Sequence, residues 1–424
     1  LTINLLICKF TNQQISFVFN SLLFTLKNMN NRIIIKNGKL IFPDEIKENL
    51  TLVCENGKIA RISNPDEVVS ETGDQVIDAQ NKYVSSGFID IHTHGGGGHD
   101  FMDGTVEAYL GAAETHAKHG TTALLPTTLT STLEELIQTF SIYRQAVQKN
   151  TKGAKFLGLH LEGPYFAYNQ RGAQDPKYLR NPEPEEYNQI LAASDDIVRW
   201  SLAPELPGAL AFGKVLTARN ILPAIAHSDA IYEEVLEAYQ AGFTHVTHLY
   251  SAMSTVSRRN AFRYAGVLEA AYLIDDMTVE IIADGVHLPK PLLQFVYKFK
   301  GPDKTALCTD SMRGAGMPDG ESILGSLDKG QKVIIEDGVA KLPDRTAFAG
   351  SVATTDRLVR TMVEVAGVPL AEAVRMMTLT PARIMQIDRQ KGSIREGKDA
   401  DFVIFDDHIH VSHTILEGNV IYGN

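Results

Sequence analysis

Asp90-Ile-His92-Thr-His94 closes an apolar, strand-like run from Tyr83 to Ile91. Side chains two apart on a β-strand leave the same face, so both imidazoles can reach one metal ion. Further metal-binding residue types stand at the ends of other apolar runs: Glu162 before Gly163-Pro164, His227 before Ser228-Asp229, His248 in Thr247-His-Leu-Tyr250, and Asp310 after Cys308-Thr309. Mixed nitrogen and carboxylate ligands suit Zn²⁺, Fe²⁺ or Mn²⁺, one ion or two, better than the all-oxygen shells of Ca²⁺ or Mg²⁺. Such a metal lowers the pKa of water and polarises a carbonyl, which is what hydrolysis of an unactivated amide requires. Asp310 is placed to accept the proton of the attacking water and return it to the departing amine.

The middle of the chain must bring these groups together. From about residue 85 to 389 it repeats a short apolar strand, a Gly/Pro/Asp-rich loop and an amphipathic helix. The expected strands are Val84 to Ile91, Thr121 to Leu125, Lys155 to Leu161, Val198 to Ala203, Leu222 to Ala226, Thr244 to Thr247, Thr278 to Ala283 and Lys304 to Cys308. Strands alternating with helices imply a parallel sheet, and eight in about 300 residues imply an α/β fold of the (β/α)8 TIM barrel type. In that fold the active site lies at the C-terminal ends of the strands, and every residue named above falls there.

Residues 31–84 and 390–424 read as β-structure, and together they are expected to form a small β-sandwich domain. Asn37-Gly38 and Asn56-Gly57, flanked by strand formers, are hairpin signals. Residues 1–30 read as a leader or extension, with Met29 as the expected natural start, because polar residues break every apolar run a signal peptide would need.

Composition narrows the function classes. A formal charge of −11, from 51 acidic against 40 basic residues, and the absence of a long basic run argue against a nucleic-acid or anionic-membrane surface. Three widely spaced cysteines argue for a reducing, cytoplasmic setting without disulfides. An anionic substrate would therefore need locally placed cations.

The other histidines take different expectations. His116 and His119 fall on the amphipathic stretch Val106 to His119 and are expected on its solvated face. His160 shares the face of Glu162 one layer deeper, as a hydrogen-bonded core residue. His245 has no evident partner, and His287, in Ala283-Asp-Gly-Val-His287, lies at the rim where substrate would sit.

Taken together, Gly87-Phe-Ile-Asp-Ile-His92-Thr-His94, His160-Leu-Glu162-Gly-Pro164, Ala226-His227-Ser, Thr247-His248-Leu-Tyr-Ser-Ala-Met253, Ile282-Ala-Asp-Gly-Val-His287 and Thr309-Asp310 resemble the amidohydrolase superfamily. Within it they are similar to the branch that deacetylates N-acetylglucosamine 6-phosphate. The resemblance implies that Glu162, His227 and His248 hold a primary metal, and that His92 and His94, with Glu162 bridging and Asp310 nearby, hold a second. It implies substrate contacts from Ser251, where the family has Asn, from the Ala252 N–H, from Gln174 and from His287. It also implies a homodimer in which an arginine of one subunit, Arg259 or Arg263, reaches the phosphorylated amino sugar bound by the other. The fourth strand runs into Ala203-Pro204-Glu205, without the carboxylated lysine of several superfamily relatives.

Overall fold

The computed structural model describes residues 32–423, so the expected leader and start lie outside the described residues. Eight parallel strands, numbered here β1 (Phe88–Thr93), β2 (Thr121–Thr128), β3 (Leu159–Glu162), β4 (Ile197–Leu202), β5 (Leu222–Ile225), β6 (His245–Val246), β7 (Thr278–Ile281) and β8 (Thr305–Leu307), pair in sequence order. Just beyond β8 the ring closes onto β1. Asp310 N–H donates to the His92 carbonyl at 2.9 Å, and the His94 and Gly95 N–H groups donate to the Ser311 carbonyl at 2.8 and 3.0 Å. The closing bonds thus lie among the candidate ligands themselves.

Helices cover the outside, as a parallel sheet with two apolar faces requires. Those following β1 and β2, Val106–Ala117 and Leu133–Lys149, start where the sequence supplies caps. Thr105 accepts from Ala108 N–H, and Thr132 with Glu135 forms a capping box. One continuous core runs from Phe88 and Leu124 through Trp200 and Phe212 to Val279 and Leu307.

The terminal segments pair with each other in one eight-stranded mixed sheet, in which Phe402–Phe405 lies beside Tyr83–Ser86 and Arg32–Ile41 continues it. Ile33, Leu52, Val84, Phe402 and Ile404 fill its core. The expected single run from Tyr83 to Ile91 is two strands in two sheets. The chain crosses between them at Gly87, whose N–H donates to the Asp401 carbonyl at 3.0 Å. A Cβ there would meet the Thr122 side chain at 2.1 Å, so only glycine fits. Asn56-Gly57 is the expected hairpin turn, both residues having positive φ. Asn37-Gly38 instead forms an irregularity inside the single strand Arg32–Ile41, because that strand's pairing register shifts there.

Two features depart from the expected elements. The run Lys155 to Leu161 breaks at Gly158 (φ 132°) into Lys155–Phe156 and β3. Beyond β8 the chain forms an unforeseen four-stranded antiparallel sheet, Gly320–Leu324, Gln331–Glu336, Val339–Lys341 and Phe348–Ser351, which overhangs the barrel mouth. Among the described residues no helix is long and apolar enough to cross a membrane.

Candidate active site

The carboxylate of Glu162, at the end of β3, is the hub of the site. Its Oε1 lies 3.4 Å from His227 Nε2, 3.2 Å from His248 Nε2 and 3.4 Å from His92 Nε2, and its Oε2 lies 3.4 Å from His94 Nε2. Asp310 Oδ1 completes the far side, 3.2 Å from His94 Nε2 and 3.4 Å from His92 Nε2. Two overlapping triads result, Glu162–His227–His248 and His92–His94–Glu162, all buried. The expected ligands, drawn from five strand ends, therefore meet at one mouth.

The orientation of three of the four rings is fixed from behind. His227 Nδ1 donates to the Gln170 carbonyl at 2.7 Å, His94 Nδ1 to the Thr127 carbonyl at 3.2 Å, and His92 Nδ1 to Glu280 Oε1 at 2.8 Å. With a proton held on Nδ1, each of these three rings, when neutral, turns an Nε2 lone pair toward carboxylate oxygens, which are themselves acceptors. Such an array is repulsive unless a positive charge sits within it. The spacing fits a cation: metal–ligand distances near 2.0–2.1 Å in a tetrahedral shell put neighbouring ligand atoms roughly 3.3 Å apart. His227 Nε2 and His248 Nε2, two like groups 3.3 Å apart, make the same point.

Ionisation follows from this geometry. Burial pushes the Glu162 carboxyl up, but the surrounding His92, His227, His248 and His94 outweigh it and hold it well below the usual carboxylate range. Burial pushes His94 down, but Asp310 and Glu162 prevail and hold it well above the usual imidazole value. Asp310, desolvated yet flanked by His92 and His94, is likewise held low. Both carboxylates are therefore ionised, and the centre attracts positive charge.

A cavity of about 390 Å³ opens above the cluster, within the size range of small-molecule sites. Ser251, Ala252, His287 and Gln174 all line it, with Tyr250, Gly172 and Phe348. His287 gives Nδ1 to Asp284 Oδ2 at 2.7 Å, which leaves Nε2 as its available ring atom. Gln174, expected to reach a sugar, has both ends of its amide engaged: Nε2 donates to Glu162 Oε2 at 2.7 Å, and Oε1 accepts from Thr130 N–H at 3.0 Å. Arg259 and Arg263 are exposed on the hairpin formed by Ser257–Arg259 and Phe262–Tyr264 and do not line this cavity in the single chain.

Of the other histidines, His160 is the hydrogen-bonded core residue expected, whereas His116 and His245 depart from expectation. His116 is fully buried, its Nε2 3.0 Å from the Gly95 carbonyl, and burial pushes its pKa down to about 4. The face of its helix that looked solvated packs instead beneath the Gly95–Asp100 hairpin. His119 is partly exposed and meets Asp356. His160 is buried, with Nε2 2.7 Å from Ser201 Oγ. His245 does have partners, Thr278 Oγ1 at 2.9 Å and Glu280 Oε2 at 3.4 Å. Sequence reasoning missed Glu280 and Arg199, although each interrupts an otherwise apolar strand with a charge, and the two signs are opposite.

A closed parallel barrel that gathers buried histidines and carboxylates at its C-terminal mouth is an architecture consistent with a metal site and with the hydrolases of one family. The chain belongs to the amidohydrolase family, whose model matches residues 83–421. It is 32% identical to an N-acetylglucosamine-6-phosphate deacetylase of Lysinibacillus sphaericus over 92% of this chain and 97% of that one. It is 34% identical to an N-acetylgalactosamine-6-phosphate deacetylase of Escherichia coli O157:H7 over 78% and 86% of the two chains. Among solved structures, an N-acetyl-D-glucosamine-6-phosphate deacetylase variant from Mycobacterium smegmatis, in complex with N-acetyl-D-glucosamine-6-phosphate, superimposes with a TM-score of 0.82 at 28% identity, covering 93% of this chain and 99% of that one.

Proposed function

We propose that this chain hydrolyses the acetamide of N-acetylglucosamine 6-phosphate to glucosamine 6-phosphate and acetate, in amino-sugar catabolism. The observation that carries the reading is the Glu162–His227–His248 triad, facing His92, His94 and Asp310 across one carboxylate at the floor of a sugar-sized cavity. Glu162, His227 and His248 would hold the primary divalent cation, and His92 and His94, with Glu162 shared, a second. When bound, such an ion supplies water activation and carbonyl polarisation at neutral pH.

The chain's own residues do the rest. Asp310, ionised in the resting site, accepts the proton of the attacking water on a carboxylate oxygen and delivers it to the amine nitrogen as the C–N bond breaks. His287 Nε2, Ser251 Oγ and the Ala252 N–H, all at the cavity wall, orient the sugar and its phosphate. Gln174 holds Glu162 in place and presents its amide edge to the same wall. Arg259 and Arg263, on the exposed hairpin, would supply the phosphate's cation to the cavity of a second copy, making the functional unit a homodimer. The two described cysteines, Cys54 and Cys308, are buried free thiols, which suits a reducing cytoplasm.

A second reading keeps the chemistry and changes the sugar, to the galactosamine epimer or to an unphosphorylated substrate. Ser251, where the resemblance implies Asn, and the likeness to the E. coli galactosamine-6-phosphate enzyme favour it. Acetate release from N-acetylglucosamine 6-phosphate, N-acetylgalactosamine 6-phosphate and unphosphorylated N-acetylglucosamine, with elemental analysis of the protein, tests both. Turnover of the gluco phosphate at least tenfold above the others is expected. Equal turnover of the two epimers or of the unphosphorylated sugar overturns the first reading.

A further inference from the structure

Beneath the ligand cluster, inside the barrel, lies a charged group that the proposed chemistry does not use. Arg199 of β4 and Glu280 of β7 are fully buried and joined by two hydrogen bonds, Nη1 to Oε2 at 2.7 Å and Nη2 to Oε1 at 2.8 Å. Arg199 also donates to the Ile91 carbonyl at 2.9 Å and to Thr247 Oγ1 at 2.8 Å, which ties the pair to β1 and β6. Glu280 Oε1 in turn accepts the Nδ1 proton of His92 at 2.8 Å.

A buried ion pair adds little stability over apolar packing of the same volume, so its place in the core calls for a local reason. His92 supplies one. His94 and His227 have backbone carbonyls behind them, and His248 Nδ1 has no hydrogen-bond partner; His92 alone of the four is backed by a carboxylate. A carboxylate behind a ligating imidazole fixes its tautomer and raises its basicity. Arg199 holds both Glu280 oxygens, at 2.7 and 2.8 Å, which keeps the carboxylate from turning away from His92. A His92 ring with its proton moved to Nε2 carries its lone pair on Nδ1 and has none facing His94, Glu162 and Asp310.

We propose that the Arg199–Glu280 pair is a positioning device for His92: it holds the ring proton on Nδ1, aims the Nε2 lone pair at the His94–Glu162 side, and so governs whether a second divalent cation binds. The proposal rests on the metal-dependent reading above. Neither residue offers an atom to the Glu162–His227–His248 triad, although the His248 N–H lies 3.4 Å from Glu280 Oε1, so both are positioning residues.

Metal-stripped protein titrated with Co²⁺, followed by visible absorbance and equilibrium dialysis, tests it. The parent is expected to take two equivalents. The double variant Arg199→Met/Glu280→Leu should keep the first within about threefold while the second weakens by roughly 10–100-fold, the usual cost of losing such a partner. Arg199→Met/Glu280→Gln, which keeps an acceptor oxygen for His92, should restore most of that loss. Parental affinity for the second equivalent in a folded Leu variant overturns the proposal, as does a parent that takes one equivalent only. Failure of the underlying reading looks different: no Co²⁺ bound at all, or a first equivalent that survives His227→Ala. Independently of any core variant, ¹⁵N spectra of histidine-labelled, Zn²⁺-loaded protein should show the His92 ring protonated on Nδ1. A ring protonated on Nε2 overturns the proposal.

Discussion

Replacing Asp310 with Asn separates proton chemistry from structure, because the backbone at this position tolerates the change. Asp310 has φ 45°, in the left-handed region, which Asn enters more readily than most residues. Its N–H bond to the His92 carbonyl, and the bond its own carbonyl accepts from Ser351 N–H at 2.8 Å, are main-chain bonds that persist in Asp310→Asn. The first cation triad does not include residue 310, so at least one equivalent of metal should remain bound. What disappears is the carboxylate that exchanges the proton. General acid–base catalysis contributes about 10²–10⁴-fold, so kcat for the phosphorylated sugar should fall by that factor, roughly 3–5 kcal/mol of barrier. Burial pushes the Asp310 carboxyl up, but His92 and His94 outweigh it and hold it below the usual carboxylate range, so the parent's kcat/KM should show no acid limb from this group between pH 5 and 9. The assay is acetate release over pH 5–9, with metal counted by elemental analysis. A folded, metal-containing Asp310→Asn protein within about tenfold of the parent rate would remove Asp310 from the mechanism.

Other outcomes follow from the same geometry. Stripping metal with a chelator should abolish activity and lower the thermal midpoint, because lone pairs are left facing carboxylates; restoring free Zn²⁺ at a hundredfold above its Kd should return about 2.7 kcal/mol, and a midpoint indifferent to metal would count against the site. His116 is buried with its pKa lowered to about 4. Its folded value lies below the unfolded one, so the neutral ring contributes stability above about pH 6.5 that is lost as pH falls toward 4. Metal-free urea unfolding at pH 7 and pH 5 should differ by about 2 kcal/mol more in the parent than in His116→Gln, and parallel pH dependences would refute this. Arg263→Ala should raise KM for the phosphorylated sugar and leave kcat within a few-fold, as expected for lost uniform binding. A fall in kcat at unchanged KM would take Arg263 out of phosphate binding.

Much of the barrel was legible because each strand is a short apolar run, five of the eight ended by a ligand type, and the alternation with helices admits few topologies. Residue type at a strand end was enough to pick Glu162, His227, His248 and Asp310. Sequence was blind where a contact depends on the third dimension. Gly87 marks the passage between two sheets only because Thr122 lies against it. His116 looked solvated because helical periodicity cannot foresee a hairpin such as Gly95–Asp100 folding back over that face. The sheet from Gly320 to Ser351 was overlooked although Glu336-Asp-Gly338 sits between strand formers as a turn.

Three of the site residues, His227 (φ 48°), His248 (φ 31°) and Asp310 (φ 45°), have left-handed backbone just past their strands. Continued β-structure would send successive side chains to alternate faces; a left-handed residue breaks that alternation and swings its side chain over the mouth. Such conformations cost of order 1–3 kcal/mol each and persist only where the surroundings over-determine them. Here the surroundings are visible: Asp310 is held by the ring-closing bonds to His92 and Ser351, His227 by the Gln170 carbonyl and by Ala167 N–H donating to its own carbonyl at 2.9 Å, and His248 by Ser251 N–H donating to its carbonyl at 2.9 Å. None of these bonds involves a cation. The backbone itself therefore holds these three side chains over the mouth, where the proposed ligands of a divalent cation must meet.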